Sequence, residues 1–175
     1  MDEKFLKLSN LFKEEKYDGF LVRDALFESR PHIPVIKIDP VLVETKGAIL
    51  SRFSDIKKIE DLKGRSIGIV RGWLWMELLT KQYPRVVKAS NISDLAHLLH
   101  EGRVDTILVV EEILPFLKLD GYSCNNVIDL QGHVFLKESS KEFSELISQA
   151  LTKHIENGNN FINIPRILSS FSSDS

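Results

Sequence analysis

Several things that would identify a function quickly are missing from this 175-residue sequence. Its one cysteine, Cys124, excludes an internal disulfide, so cysteine usage is silent on compartment. No apolar run approaches the roughly 18 residues needed to span a bilayer. There is no glycine-rich phosphate loop followed by Lys-Ser or Lys-Thr, no zinc-ligand spacing and no nucleophile elbow. The five histidines, His32, His97, His100, His133 and His154, are scattered, and His97 and His100 fall on a solvent-facing side of one helix. No two carboxylates stand as a catalytic pair, and neither an internal repeat nor a coiled coil is present. Charge of either sign is not in excess: 23 Lys and Arg against 25 Asp and Glu leave a net charge of −2. That balance gives no electrostatic reason to expect nucleic acid or an anionic membrane. The reading is therefore of a chain that is not an enzyme, with no metal and no cofactor.

What is present is an ordinary globular composition, 43% hydrophobic and 27% charged, long enough for one good core or two small lobes. Asp2 can cap a first helix with Phe5, Leu8, Leu11 and Phe12 on one side. Tyr17 to Arg23 reads as a turn into a buried strand. After the Pro31-His-Ile-Pro34 break, Val35 to Ile38 and Val41 to Thr45 read as extended, Lys46-Gly47 as a turn, and Ala48 to Arg52 as a further strand. His32, between prolines, reads as a surface loop residue.

The densest stretch is Ile59-Glu-Asp-Leu-Lys-Gly-Arg-Ser-Ile-Gly-Ile-Val-Arg-Gly-Trp73. A short helical turn ends at Gly64, Ser66 to Val70 is apolar enough for a buried strand, and Gly68 permits close packing against it. Gly72 then turns the chain into a helix over Leu74 to Gln82. In a parallel sheet this junction lies at the carboxyl end of the strand, where open α/β folds bind ligands and where amides can hold an anion. Arg85 to Ala89 reads as the next strand. Ser90 or Asn91 caps a helix with Ile92, Leu95, Ala96 and Leu99 on one face, closing at Gly102, and Val104 to Val110 is a third buried strand. Glu111 to Lys118 reads as helix, Gly121 to Asn126 as a polar turn, and Val127 to Leu130 with His133 to Leu136 as extended. Ser139-x-x-Glu142 reads as a capping box for a helix carrying Phe143, Leu146, Ile147, Ala150, Leu151 and Ile155. The serine-rich end, residues 169–175, reads as a flexible tail. Alternating strands and helices place the chain in the α/β class.

Three pieces in the right order carry a resemblance: Asp61-Leu-Lys-Gly-Arg-Ser-Ile-Gly-Ile-Val-Arg-Gly72, Gly102-Arg-Val-Asp105, and the late helix from Phe143 to Glu156 ending at Asn157-Gly158. Together they resemble the bacterial extracellular solute-binding proteins of family 3, the type II periplasmic-binding-protein-like receptors of polar amino-acid ABC transporters. The resemblance covers Lys7 to Ile164. It implies two lobes joined by a hinge: an incomplete first lobe over 1–50 and 131–168, and a second lobe over 51–130, with the hinge near 48–53 and 127–136. Elements that precede the first helix in the family have no counterpart here, so the first lobe is expected to be truncated.

The resemblance implies a small polar solute, an amino acid among the candidates, held between the lobes without chemistry, and an ABC transporter permease as partner. It supplies Arg23 and Arg30 as alternatives for clamping an α-carboxylate, Arg30 being the better match in position; a planar five-donor guanidinium suits that task. From the second lobe it supplies Arg71, Gly72, Trp73 and Glu111. Two positions depart from the family pattern. Val110 stands where an aspartate usually pairs with the α-ammonium, and Trp73 and Leu74 stand where a serine or threonine usually meets the carboxylate. Glu111 is the candidate replacement for the lost acid, and an acid opening a helix is its plain alternative. A second reading follows from these departures: an orphan or regulatory domain with a degenerate cleft, acting through protein association, as a homodimer through an exposed strand from Gly19 to Arg23. The resemblance implies a periplasmic location; the opening residues lack the apolar core of a secretion signal, which leaves a cytoplasmic one open.

Overall fold

In a computed structural model, residues 18–29, 34–117 and 120–158 are described. The first helix read over residues 2–16, Arg30, His32 and the tail over 169–175 lie outside them. In chain order the elements are β1 (Gly19–Asp24), β2 (Val35–Ser51), β3 (Ile67–Val70), α1 (Leu74–Thr80), β4 (Val86–Ala89), α2 (Ile92–His100), β5 (Thr106–Val110), α3 (Leu114–Leu117), β6 (Ser123–Lys137) and α4 (Ser144–Glu156). Short 3-10 turns lie at Ala25–Ser29, Ile59–Leu62, Glu111–Ile113 and Glu138–Phe143.

The chain divides into two compact units, at Glu44/Thr45 in β2 and at Asp129/Leu130 in β6. In the first unit β1 runs antiparallel to β6, Gly19 opposite Leu136 and Asp24 opposite Gly132, at the edge of the sheet among the described strands. Ile38 and Leu42 of β2 meet Val134 and Leu136 of β6, and Ile147, Leu151 and Ile155 of α4 pack on them. Those three are spaced four residues apart, so they share one helix face. Each is only half-buried and contributes less than the ~1.5–3 kcal/mol of full burial. Phe143 and Leu146, placed by sequence on the same apolar side, are exposed.

The second unit has strand order β2-β5-β3-β4, with β3 parallel to β4 and β5, and β2 antiparallel to β5. All four residues of β3 are buried. Gly68 is there for closeness: a Cβ would lie 2.7 Å from Leu95 Cδ1 and 3.0 Å from Ile107 Cγ2, so α2 is able to settle directly on the strand. Leu95 and Leu99 are fully buried in that contact. Asn91 caps α2, its side chain accepting from the Asp94 amide at 2.8 Å.

Four local expectations are corrected. Lys46-Gly47 is not a turn, because β2 runs unbroken from Val35 to Ser51 with Gly47 paired to Val110. Glycine is required there by packing: a Cβ would come within 2.6 Å of Ile128 Cγ2 and 2.7 Å of the Trp75 ring. Residues 123–126 of the expected polar turn belong to β6, their polarity explained by partners, since the Asn125 amide donates to the Ile56 carbonyl and Ser123 Oγ. The helix expected from Glu111 is a 3-10 turn followed by the four residues of α3. Ser139 caps nothing: α4 begins only at Ser144, after a 3-10 stretch in which Ser140 departs from helical dihedrals and its buried hydroxyl donates to Asp18 at 3.4 Å.

Candidate functional site

The carboxyl ends of β3, β4 and β5 form one edge of the second unit, and the sequence-derived residues of that unit gather along it. Val70 is level with Ala89, and the ladder continues one step, with the Arg71 amide donating to the Ala89 carbonyl at 2.9 Å. The chain then reverses over Val70-Arg-Gly-Trp73, closed by the Trp73 amide on the Val70 carbonyl at 3.3 Å. Gly72 takes φ 84°, a conformation that this turn requires at its third residue and that side chains other than glycine resist. Trp73, half-buried, is the N-cap of α1, and its carbonyl accepts from the Glu77 amide at 3.1 Å. Trp75 is buried against β2 at Gly47, and Met76 sulfur accepts from the Val70 amide at 3.4 Å. The turn is thus held from beneath by apolar packing while Arg71 and Gly72 stay exposed.

Two side chains missed by sequence reasoning complete the turn. Glu77 reaches back so that its Oε1 accepts from the Gly72 amide at 3.3 Å, and Lys88 Nζ of β4 contacts the same oxygen at 3.0 Å. Helical spacing returns residue 77 toward the start of α1, but nothing in the local pattern names its acceptor role.

At the end of β5, Glu111 and Glu112 have different surroundings. Gly47 faces Val110 in an antiparallel pair, so Thr45, two residues earlier, comes level with Glu112, two residues later. The Thr45 hydroxyl donates to the Glu112 carboxylate. Glu111 is exposed and receives the Asn126 amide at 3.4 Å. Its charge also reaches Cys124. Cys124 lies at the surface with its thiol partly enclosed; that burial first, and the Glu111 carboxylate second, push the thiol above its ordinary pKa. Cys124 is accordingly a poor nucleophile at neutral pH.

At the opposite, amino end of the same strands, Asp105 accepts from the Ser66 amide at 2.7 Å and the Ser66 hydroxyl at 2.8 Å. Partial desolvation would raise its pKa, but the two Ser66 bonds, assisted by the charges of Arg65 and Arg85, together bring it below the ordinary value. Asp61 works similarly, accepting from the Lys57 and Lys58 amides at 3.0 and 3.1 Å. Both acids belong to the recognition motifs, and both secure loops. Arg23 of the first unit is exposed, with its guanidinium 5.5 Å from the Phe20 ring centroid. Among the described residues no group of three or more His, Cys, Asp or Glu is arranged to hold a metal ion. Among the same residues no helix is long and apolar enough to cross a membrane.

No protein-family model and no curated protein matches the sequence. Solved structures do match in fold. An arginine-bound variant of ArgBP from T. maritima superposes with TM-score 0.67 at 19% identity, over 87% of this chain and 75% of that one. The arginine-, lysine-, histidine-binding protein ArtJ from Geobacillus stearothermophilus gives 0.62 at 19%, over 86% and 69%. A histidine kinase sensor domain with similarity to periplasmic binding proteins gives 0.70 at 17%, over 88% and 71%. At these identities the likeness is one of architecture, and the chain has the α/β fold of the periplasmic binding proteins.

Proposed function

We propose that this protein is a solute-binding protein of the kind that serves amino-acid ABC transporters, taking a small polar molecule without chemical conversion. The observation that carries the reading is the edge just described, on which opposite charges, Arg71 and Glu111, lie exposed at the ends of the neighbouring parallel strands β3 and β5. An amino acid presents a carboxylate and an ammonium, and a guanidinium with a carboxylate is the matching pair. Trp73 lies between them in sequence and offers a half-buried ring for a ligand's apolar part. Arg23 and Arg30 are the first unit's contribution by family resemblance. The arginine carried by the ArgBP structure, and the arginine, lysine and histidine named for ArtJ, make basic amino acids the first ligands to try. A permease partner and a periplasmic location accompany this reading.

The test is a thermal-shift and calorimetric screen against arginine, lysine, histidine and acidic amino acids. A ligand at 100 times its Kd adds about 2.7 kcal/mol to stability and raises the melting temperature. Loss of that rise in Arg71→Ala and Glu111→Gln, with the folds intact, is the expected result. Ligand binding that survives both substitutions would move the site elsewhere.

A second reading, with which the sensor-domain neighbour is compatible, takes its motive from the edge position of β1 among the described strands: a regulatory domain that works by association through the strand from Gly19 to Arg23.

A further inference from the structure

The turn after β3 is the place where exposed backbone amides would be expected to meet an anion, and counting its donors gives a different answer. Each amide of Arg71-Gly-Trp73 already has an acceptor within the protein. Arg71 donates to the Ala89 carbonyl at 2.9 Å, Gly72 to Glu77 Oε1 at 3.3 Å, and Trp73 to the Val70 carbonyl at 3.3 Å. Two of these acceptors are backbone groups of the sheet and turn, and they could be lost only by breaking either. The third is a side chain. Glu77 is three-quarters enclosed, its side chain 24% exposed, and the Lys88 ammonium on the facing strand holds it in place at 3.0 Å.

We infer that Glu77 is a specificity-determining residue whose carboxylate fills the one position at which this turn could receive a carboxylate from a solute. The inference rests on the solute-binding reading and deepens it. At this turn a solute's carboxylate meets the exposed Arg71 guanidinium, and the turn amides discriminate neither for nor against that group. Selectivity then rests on the cationic end of the solute, facing Glu111. A charge-assisted bond to an amide is about twice as strong as a neutral one, so the difference made by Glu77 is readable in affinities.

The direct experiment uses the full chain labelled with nitrogen-15, with acetate as a bare carboxylate probe. In the wild type the Gly72 amide resonance stays fixed as acetate is added. In Glu77→Ala it moves saturably, with the remaining dispersed resonances showing an intact fold. A wild-type Gly72 amide that responds as readily overturns the inference, and so does a folded Glu77→Ala that does not respond. A companion measurement compares arginine with agmatine, which lacks the carboxylate. The ratio of their affinities is expected to rise about tenfold from wild type to Glu77→Ala; an unchanged ratio also overturns it. If neither compound binds either protein and the amino-acid screen above is also negative, the solute-binding reading fails, while the acetate response still decides the role of Glu77.

Discussion

Asp105 shows how a residue can belong to a recognition motif and have a structural task. It takes both the amide and the hydroxyl of Ser66, fixing the entry to β3 against the entry to β5. Its pKa is lower in the folded chain than the ordinary value of 3.8, so its contribution to stability is present above that value and lost as pH falls through the folded one. Asp105→Ala is expected to cost about 1.5–3 kcal/mol near neutral pH, the range for a hydrogen bond to a charged group. Denaturant titrations repeated at successively lower pH should show the gap between variant and wild type closing; a constant gap would mean that the charge is irrelevant. Cys124 runs the other way. Its raised pKa predicts slow alkylation near neutral pH, slower than for a free thiol, and acceleration in Glu111→Gln, which removes the second cause and leaves burial. Mass spectrometry of iodoacetamide-treated protein reads both rates, and equal rates in the two proteins would contradict the assigned influence of Glu111.

Individual elements were legible in proportion to how far local chemistry determined them. Ser90 or Asn91 before Ile92, with Leu95 and Leu99 on one face, marks α2 by cap and period together; the period is found, and Asn91 is the residue that caps. Removing that cap in Asn91→Ala should cost about 1 kcal/mol, which for a chain of this size lowers the melting temperature by roughly 2–4 °C. A drop below the error of calorimetry would show that packing alone holds the helix. Gly47 misleads because a glycine after lysine signals a turn locally, whereas the reason for it is the Trp75 ring, 28 residues away by number, meeting the strand. Ser139 misleads in the same way. The capping pattern is correct in type, yet the chain puts a 3-10 stretch there and turns Ser140 toward Asp18. Among the candidate residues, the positions of Arg71, Gly72, Trp73 and Glu111 just beyond strand ends could be read from local sequence. Glu77, Lys88, Thr45 and Glu112 could not, since their pairings depend on which strands are neighbours and in what register.

For the whole molecule, alternation of strand and helix was enough to give the α/β class, and motif order was enough to give the periplasmic-binding-protein fold. The division between units was harder to read. Sequence puts it at 50/51 and 130/131 with a hinge near 48–53 and 127–136; the compact units part between Glu44 and Thr45, and between Asp129 and Leu130 within the second hinge range. Both points lie inside unbroken strands, where composition does not change. Association belongs to this scale as well. If β1 pairs with a second copy, sedimentation should report a dimer that strengthens with concentration. A monomer at every concentration would dismiss that reading.

The chain's two tryptophans are Trp73, which closes the turn after β3, and Trp75, two residues on in α1. One indole is half in solvent and the other is enclosed against Gly47. All indole fluorescence therefore originates within three residues of the candidate site, without any label having to be introduced. Acrylamide should quench a red-shifted fraction from Trp73 and spare a blue-shifted one from Trp75. A solute settling on the turn would protect the first and leave the second unchanged, whereas unfolding would merge the two.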